Sequence, residues 1–329
     1  MGVEVSQNGT YALQLLAEFT SRPSKRLRGM LAVIAYEMFG GANHLVAIDL
    51  ALAMELAQSY LLIVDDVIDH SLTRRGGPTV NREYARMMHC DYPGKSLRHE
   101  ADMVAIVIGE LAQHLASAVL NGIDAPAARI IKVEQLFHTN LAATGHGQID
   151  DLLGSLGQPH NIAETLAVYL RKTCYYTFIN PLQTGAALAG AGKNDLAVLY
   201  EFGKYAGIAF QLQDDDIGMF GDERSSGKSN LDDLREGKMT VLVRHALTHA
   251  NETELAVLGS ALGNRRVTRE QHKAVQAIFE RVGSRAFTIK KIRWANAKAK
   301  MVLNAQNRWD LTSRASLAVL LDSLIRRKV

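Results

Sequence analysis

The sequence predicts an all-α protein, one large helical bundle around a central cavity, with residues 1–329 forming a single domain. Three observations predict it. Apolar residues recur at helical spacing along nearly the whole chain. No stretch shows the apolar–polar alternation of a half-buried strand, and no repeat of fixed period is present. With only 6 prolines, no segment rich in Pro, Gly and Ser divides the chain.

The elements follow in order. A short amphipathic helix covers residues 11–19 and stops at Pro23-Ser24. The next, over 25–39, carries Leu27, Met30, Leu31, Ile34 and Met38 at helical spacing and ends at Gly40-Gly41. A long central helix covers 45–70. Its run of Leu50, Leu52, Met54, Leu56, Tyr60, Leu61, Leu62, Ile63 and Val64 is apolar on nearly every face, so it belongs inside the protein. Gly76-Gly77-Pro78 and Asp91-Tyr92-Pro93-Gly94 are loops. Helices are expected over 97–120, 127–153 and 162–190. The last opens with Asn161 and Glu164 as a capping box, and Pro181 kinks it by removing a helical hydrogen bond. Helices over 196–220, 239–249, 252–262, 271–303 and 311–325 complete the set, with Thr268 and Gln271 as a second capping pair.

Composition excludes several classes. A length of 329 residues admits two domains, but no boundary is visible. Hydrophobic residues make up 47%, enough for a packed core, which argues against disorder. A net charge of +3 gives little pull toward nucleic acid. Cys90 and Cys174 form no disulfide framework or metal spacing, which fits a reduced, cytoplasmic setting. Residues 1–10 lack the basic and apolar regions of a secretory signal. Met1-Gly2 with Ser6 fits a loose myristoylation pattern whose meaning depends on the source. The longest uncharged run, 173–192, contains Asn180, Pro181 and Gln183, so a buried helix is expected there rather than a stable membrane span.

Chemistry concentrates where two apolar helices end. The central helix closes on Asp65, Asp66 and Asp69, with Arg74-Arg75-Gly76-Gly77-Pro78 just beyond. Asp65 and Asp69 stand one turn apart on one face, with Asp66 at its edge. Like charges this close call for cations, and hard oxygen donors suit magnesium. The helix over 196–220 repeats the pattern. Leu196, Val198, Leu199, Phe202, Ile208 and Phe210 precede Asp214-Asp215-Asp216, and a loop with Gly227-Lys228 and Asp233 to Lys238 follows. Two such clusters facing each other across a cavity would hold metal between them. Lys25 with Arg28, Arg74 with Arg75, Lys172, and Lys228 with Lys238 supply more phosphate-binding capacity than one monophosphate needs. A single acid pair is more often a solvated helix end, and a lone Lys-x-x-Arg a surface feature. Two aspartate clusters, each closing an apolar helix and each followed by bases, favour the metal–diphosphate reading.

These residues resemble the trans-isoprenyl diphosphate synthases, or polyprenyl synthetases. Lys25-Arg26-Leu27-Arg28 is similar to that family's first basic element, and Asp65 to Asp69 with Arg74-Arg75-Gly76 to its first aspartate-rich motif. Gly147-Gln148-Ile149-Asp150 and Lys172-Thr173 resemble the middle motifs. Phe210-Gln211-Leu212-Gln213-Asp214-Asp215 with Gly227-Lys228 and Gly237-Lys238 resembles the second aspartate-rich region. The likeness covers nearly the whole chain. It implies the isoprenoid-synthase type of helical bundle, a homodimer, and condensation of isopentenyl diphosphate with an allylic diphosphate. It implies three magnesium ions per site, held by Asp65, Asp69 and Asp214. Asp65, Asp66, Asp69, Lys172, Gln211 and Asp214 would be catalytic. Arg74, Lys172, Lys228 and Lys238 would hold the allylic diphosphate, with Thr173 and Phe210 beside it, and Lys25, Arg28, Gln58 and Arg75 would hold isopentenyl diphosphate.

Some positions depart from that pattern. Ser24 replaces a glycine, Gly29 a proline and Val64 a frequent histidine, and Gly218 stands where the second motif often ends in aspartate. That leaves Asp214, Asp215 and Asp233 for the second site. Product length should depend on the depth of apolar space below the first acids. Tyr60 lies five residues before Asp65, about 7.5 Å along the helix at about 1.5 Å per residue. Its ring is expected to floor a tunnel, with Leu61 and Ala57 beside it, although plain core packing explains it as well. Geranylgeranyl diphosphate is the expected product and farnesyl diphosphate the second. A class I terpene cyclase, or a non-catalytic synthase subunit, is the alternative. A cyclase leaves Lys25, Arg28 and Arg75 without a role.

Overall fold

The computed structural model describes residues 5–91, 96–155, 161–221 and 229–325. The chain forms two compact units, one of residues 1–33 with 43–130 and the other of 34–42 with 131–329. Nearly everything described is helix, as predicted. The elements are α1 (Gln7–Ser21), α2 (Leu27–Met38), α3 (His44–Ile68), β1 (Thr73–Arg74), β2 (Gly77–Pro78), α4 (Val80–Asp91), α5 (Arg98–Gly122), α6 (Ala127–Ser155) and α7 (Ile162–Tyr169). A π-helical stretch, Leu170–Ile179, follows. Then come α8 (Asn180–Ala189), α9 (Lys193–Phe220), α10 (Asp232–Arg235), α11 (Val241–His249), α12 (Glu252–Ala261), α13 (Arg269–Arg281), α14 (Ser284–Asn304) and α15 (Leu311–Ile325).

In the first unit α3 packs along α5. Asn43 caps α3 by accepting the N–H groups of Leu45 and Val46 at 3.0 and 3.5 Å. The core joins Leu15, Leu16 and Phe19 of α1 to Ile63, Val80, Tyr84, Ala105, Ile108 and Ala112. Burying a side chain such as Phe19 is worth about 1.5–3 kcal/mol. Residues after α3 form a two-residue hairpin, β1 against β2. Arg22 ties it to the end of α1, donating from Nη1 to the carbonyls of Arg74 at 3.1 Å and Pro78 at 2.7 Å.

In the second unit α9 packs against α14 and the π-helical stretch. Gly207 and Gly147 permit close contact there. A Cβ at 207 would fall 2.7 Å from Cys174 Cα, and one at 147 would fall 2.2 Å from the Lys172 nitrogen. Residues 173–192, bar the exposed turn at Gly190–Gly192, are almost wholly buried, and their polar groups are paired. Asn140 donates to Gln183 Oε1 at 3.2 Å, and Gln183 Nε2 donates to the Leu196 carbonyl at 2.9 Å.

Both predicted capping boxes form, at Asn161 with Glu164 and at Thr268 with Gln271. Several details differ, among them the β1–β2 hairpin and the short α10, where the sequence predicts loop. The helix expected over 271–303 breaks at Gly283, whose φ of +74° ends α13 before α14 begins. α4 was not predicted, because Arg82, Glu83, Arg86 and His89 dilute its apolar period. The deviation near Pro181 is a π-helical stretch running into α8. Asn180 N–H bonds the Tyr175 carbonyl five residues back, and Pro181 sits in the first turn of α8, where its missing N–H costs nothing.

Among the described residues, two helices are long and apolar enough to cross a membrane, residues 44–68 and 98–121. A little over half of the first is buried. The second, α5, exposes Met103, Ile106, Val107, Leu111 and Leu115.

Candidate active site

The first acidic set closes α3. Asp69 caps the helix, its N–H bonded to the Asp65 carbonyl at 2.8 Å, which keeps the two side chains one turn apart as expected. Asp66 points inward instead and is buried. Arg74 Nη2 lies 2.5 Å from Asp66 Oδ1 and 3.7 Å from Asp65 Oδ2, and Nε donates to Asp66 at 2.7 Å. Burial alone would lower the pKa of Arg74, but Asp66, Asp65 and Asp69 outweigh it and hold the guanidinium charged. Asp66 therefore anchors Arg74 at the rim of the acids, leaving Asp65 and Asp69 half-buried.

Cations crowd next to this set. Arg75, with φ +53°, donates from Nη1 to the Phe19 carbonyl at 3.2 Å and lies over the Phe19 ring. Its pKa is pushed down to about 10, first by burial and then by Arg26, Arg28 and Arg74, against the opposing pull of Glu55. Arg26 Nη1 meets Glu55 Oε2 at 3.0 Å. Arg75 thus sits among Arg26, Arg28 and Arg74 with Glu55 as its opposing acid, which makes a region ready for an anion. Lys25 is exposed, Arg28 half-buried and Gln58 buried. Gln58 Oε1 has no hydrogen-bond partner among the described residues, and turning its amide over would put an N–H₂ donor where that oxygen lies. Tyr60 and Leu61 are half-buried and Ala57 is buried. Tyr60 packs against the core shared by α1, α3 and α5.

The second acidic set closes α9. Asp215 is buried. It accepts from Gln211 Nε2 at 2.8 Å and from the Tyr169 hydroxyl, which itself accepts the Val241 N–H at 3.1 Å. Thr173 Oγ1 donates to Gln211 Oε1 at 2.7 Å, so the π-helical stretch and α9 share one network. Burial, then Asp233, raise the Asp215 carboxyl to about 7; the bonds from Tyr169 and Gln211 oppose this, and Asp214 adds to it. Asp216 turns away to Arg285 at 3.1 Å, which makes it a packing residue. Asp214 is half-buried. Lys172 Nζ meets Asp151 Oδ2 at 2.5 Å, and Lys238 Nζ meets Glu236 Oε2 at 2.6 Å and Asp233 Oδ1 at 3.6 Å. Phe210 packs edge-on to Phe178. Lys228 and Gly227 lie outside the described residues, as do Tyr92 to Gly94 and the Met1-Gly2 pattern.

Four participants escaped the sequence reading. Glu55 could have been found as the one acid inside an apolar run. Arg26 was present in the basic element without a separate role, and Asp151 adjoins the middle motif. Nothing in the sequence marks Tyr169.

The sequence model of the polyprenyl synthetase family matches residues 10–281. The chain belongs to that family. Every motif described above lies inside the matched stretch. The geranylgeranyl diphosphate synthase of Sulfolobus acidocaldarius is 33% identical over 257 residues, covering 77% of this chain and 72% of that one. The geranylfarnesyl diphosphate synthase of Aeropyrum pernix is 29% identical over 310 residues, covering 92% and 90%. Among solved structures, a geranylgeranyl pyrophosphate synthase from Corynebacterium glutamicum, complexed with isoprenyl diphosphate and magnesium, is similar with a TM-score of 0.92. It is 26% identical, covering 98% of this chain and 92% of that one.

Proposed function

We propose that this chain is a trans-prenyltransferase. It joins isopentenyl diphosphate head-to-tail to an allylic diphosphate, with geranylgeranyl diphosphate as its main product. The family match across residues 10–281 carries this reading, because that stretch spans both units and so also supports one synthase domain.

Among the described residues no preformed cluster of three acids or histidines is present, yet the donors fit magnesium. Asp65, Asp69 and Asp214 are half-buried hard-oxygen ligands, each set backed by a cation that a diphosphate would also engage. We assign these three to the metal, with three ions as the complement. Bound there, magnesium would neutralise charge on the departing diphosphate. Arg74, Lys172 and Lys238 hold the same oxygens by charge-assisted hydrogen bonds. Arg75, Arg28, Lys25 and Gln58 hold the second diphosphate, which the arginine crowding around Arg75 supports. Such charges act most strongly where water is excluded. Fixing the allylic carbon against the isopentenyl double bond is worth about 7–11 kcal/mol of barrier. The carbon–oxygen bond of the allylic diphosphate breaks, the double bond attacks the resulting cation, and a proton leaves to the released diphosphate.

The active form is a homodimer acting in the cytoplasm. The apolar face of α5 and the two-cysteine composition support these two statements. Incorporation of labelled isopentenyl diphosphate, measured with and without an allylic primer, tests the function. Transfer requires both substrates. Consumption of the primer alone would indicate a cyclase and refute the proposal.

A further inference from the structure

The side chains that α14 does not bury form one basic and aromatic face. Ser284, Thr288, Ile292, Ala295, Ala299 and Leu303 are buried at helical spacing. Opposite them Lys290, Trp294, Ala297 and Met301 form a stripe about 16 Å long at about 1.5 Å per residue, with Arg293 along one edge and Lys291 and Lys298 along the other. α14 carries six bases and no acid. Lys290, Lys291, Arg293 and Lys298 form no ion pair among the described residues. Asp322 is engaged by Lys300 at 2.6 Å, and Glu201 by Lys204 at 2.6 Å. Trp294 is 42% exposed and Met301 58%. Tyr205 of α9 meets the Trp294 ring edge-on at 5.6 Å, and Lys291 Nζ lies 5.6 Å from the Trp294 ring centre, so the indole is braced at the surface. None of these residues belongs to the site described above.

We propose that this face of α14 docks the protein on an anionic lipid surface, lying in the plane of the headgroups without crossing the bilayer. Flexible lysines around one braced indole suit a fluid array of phosphates better than a partner of fixed shape, because each cation can find its own headgroup. Trp294 and Met301 then enter the interface, where an indole is favoured. The net charge of the whole chain is only +3, so the attraction comes from this face and not from the molecule's overall field. The inference concerns the surface alone and does not depend on the reaction proposed above.

The test sediments the full chain with vesicles of phosphatidylcholine alone, and of phosphatidylcholine mixed with phosphatidylglycerol, at low and high salt. Wild type should sediment with the mixed vesicles at low salt, stay in solution with the neutral ones, and be released as salt rises. Binding should move the tryptophan emission to the blue. Trp309 is already buried, so the shift reports Trp294, and Trp294→Phe should lose it. Lys290→Glu with Arg293→Glu should weaken binding by about tenfold or more at an unchanged thermal midpoint. Arg265→Glu with Arg266→Glu, in the turn between α12 and α13, makes the same change in net charge and should bind like wild type. Equal sedimentation with neutral vesicles, binding without a blue shift, or an equal loss in both charge variants overturns the inference. So does a wild type that stays in solution with both vesicles, whatever acidic protein or nucleic acid it binds.

Discussion

The Tyr169 hydroxyl joins two elements through one oxygen, donating to Asp215 Oδ2 and accepting the N–H of Val241 at 3.1 Å. A buried carboxylate at the end of α9 is thereby fixed by a residue three positions before Lys172. Tyr169→Phe removes the donor and leaves both partners short of a hydrogen bond in a buried place. Such losses cost about 1–3 kcal/mol. Urea unfolding should show a drop of this size, and an unchanged midpoint would mean that the network carries no stability.

His245 sets a pH limit of its own. It stacks on His249 with ring centroids 4.0 Å apart, and its Nδ1 lies 3.0 Å from Ser284 Oγ. Burial, then His249, push its pKa below 6.5. The folded state therefore favours the neutral ring. This stabilising contribution is complete above the unfolded value of about 6.5 and is lost as pH falls toward the folded value. The wild-type midpoint should fall more steeply below about pH 6.5 than that of His245→Asn. Parallel curves would remove His245 from the acid response.

Tyr60 should limit product length. Its ring packs close to α5, where a Cβ at Gly109 would lie 3.5 Å from Tyr60 Cδ2. Tyr60→Ala opens apolar depth below Asp65, and chromatography of the dephosphorylated products should show chains longer by at least one five-carbon unit. The same product distribution from both proteins would reduce Tyr60 to a packing residue.

The exposed apolar face of α5 predicts association. Val107 is 53% and Met103 50% exposed, a contiguous patch of a kind monomers rarely leave in water. Sedimentation should give twice the 36.1 kDa chain mass. Val107→Glu with Leu111→Glu should shift it to one chain. A monomeric wild type would contradict the dimer.

Much of this was legible from residue order. Apolar period located most helices, and Asn161 and Thr268 marked two starts because capping chemistry is local. What could not be read depends on contacts between distant segments. Nothing near Gly283 distinguished a break from an interruption, since its positive φ is a tertiary outcome. α4 hid behind its charges. Asp65, Asp66 and Asp69 look equivalent in sequence, but one helical step turns Asp66 into the protein onto Arg74. The site's bases and acids were recognisable, while Tyr169 and Glu55 entered only once α7, α9, α3 and the basic element were seen packed within their own units.

The most direct measurement is the size of the product made from farnesyl diphosphate and labelled isopentenyl diphosphate with magnesium. Dephosphorylation should release a twenty-carbon alcohol, and chelating the metal should abolish it. No labelled product with this or any shorter allylic primer would contradict it.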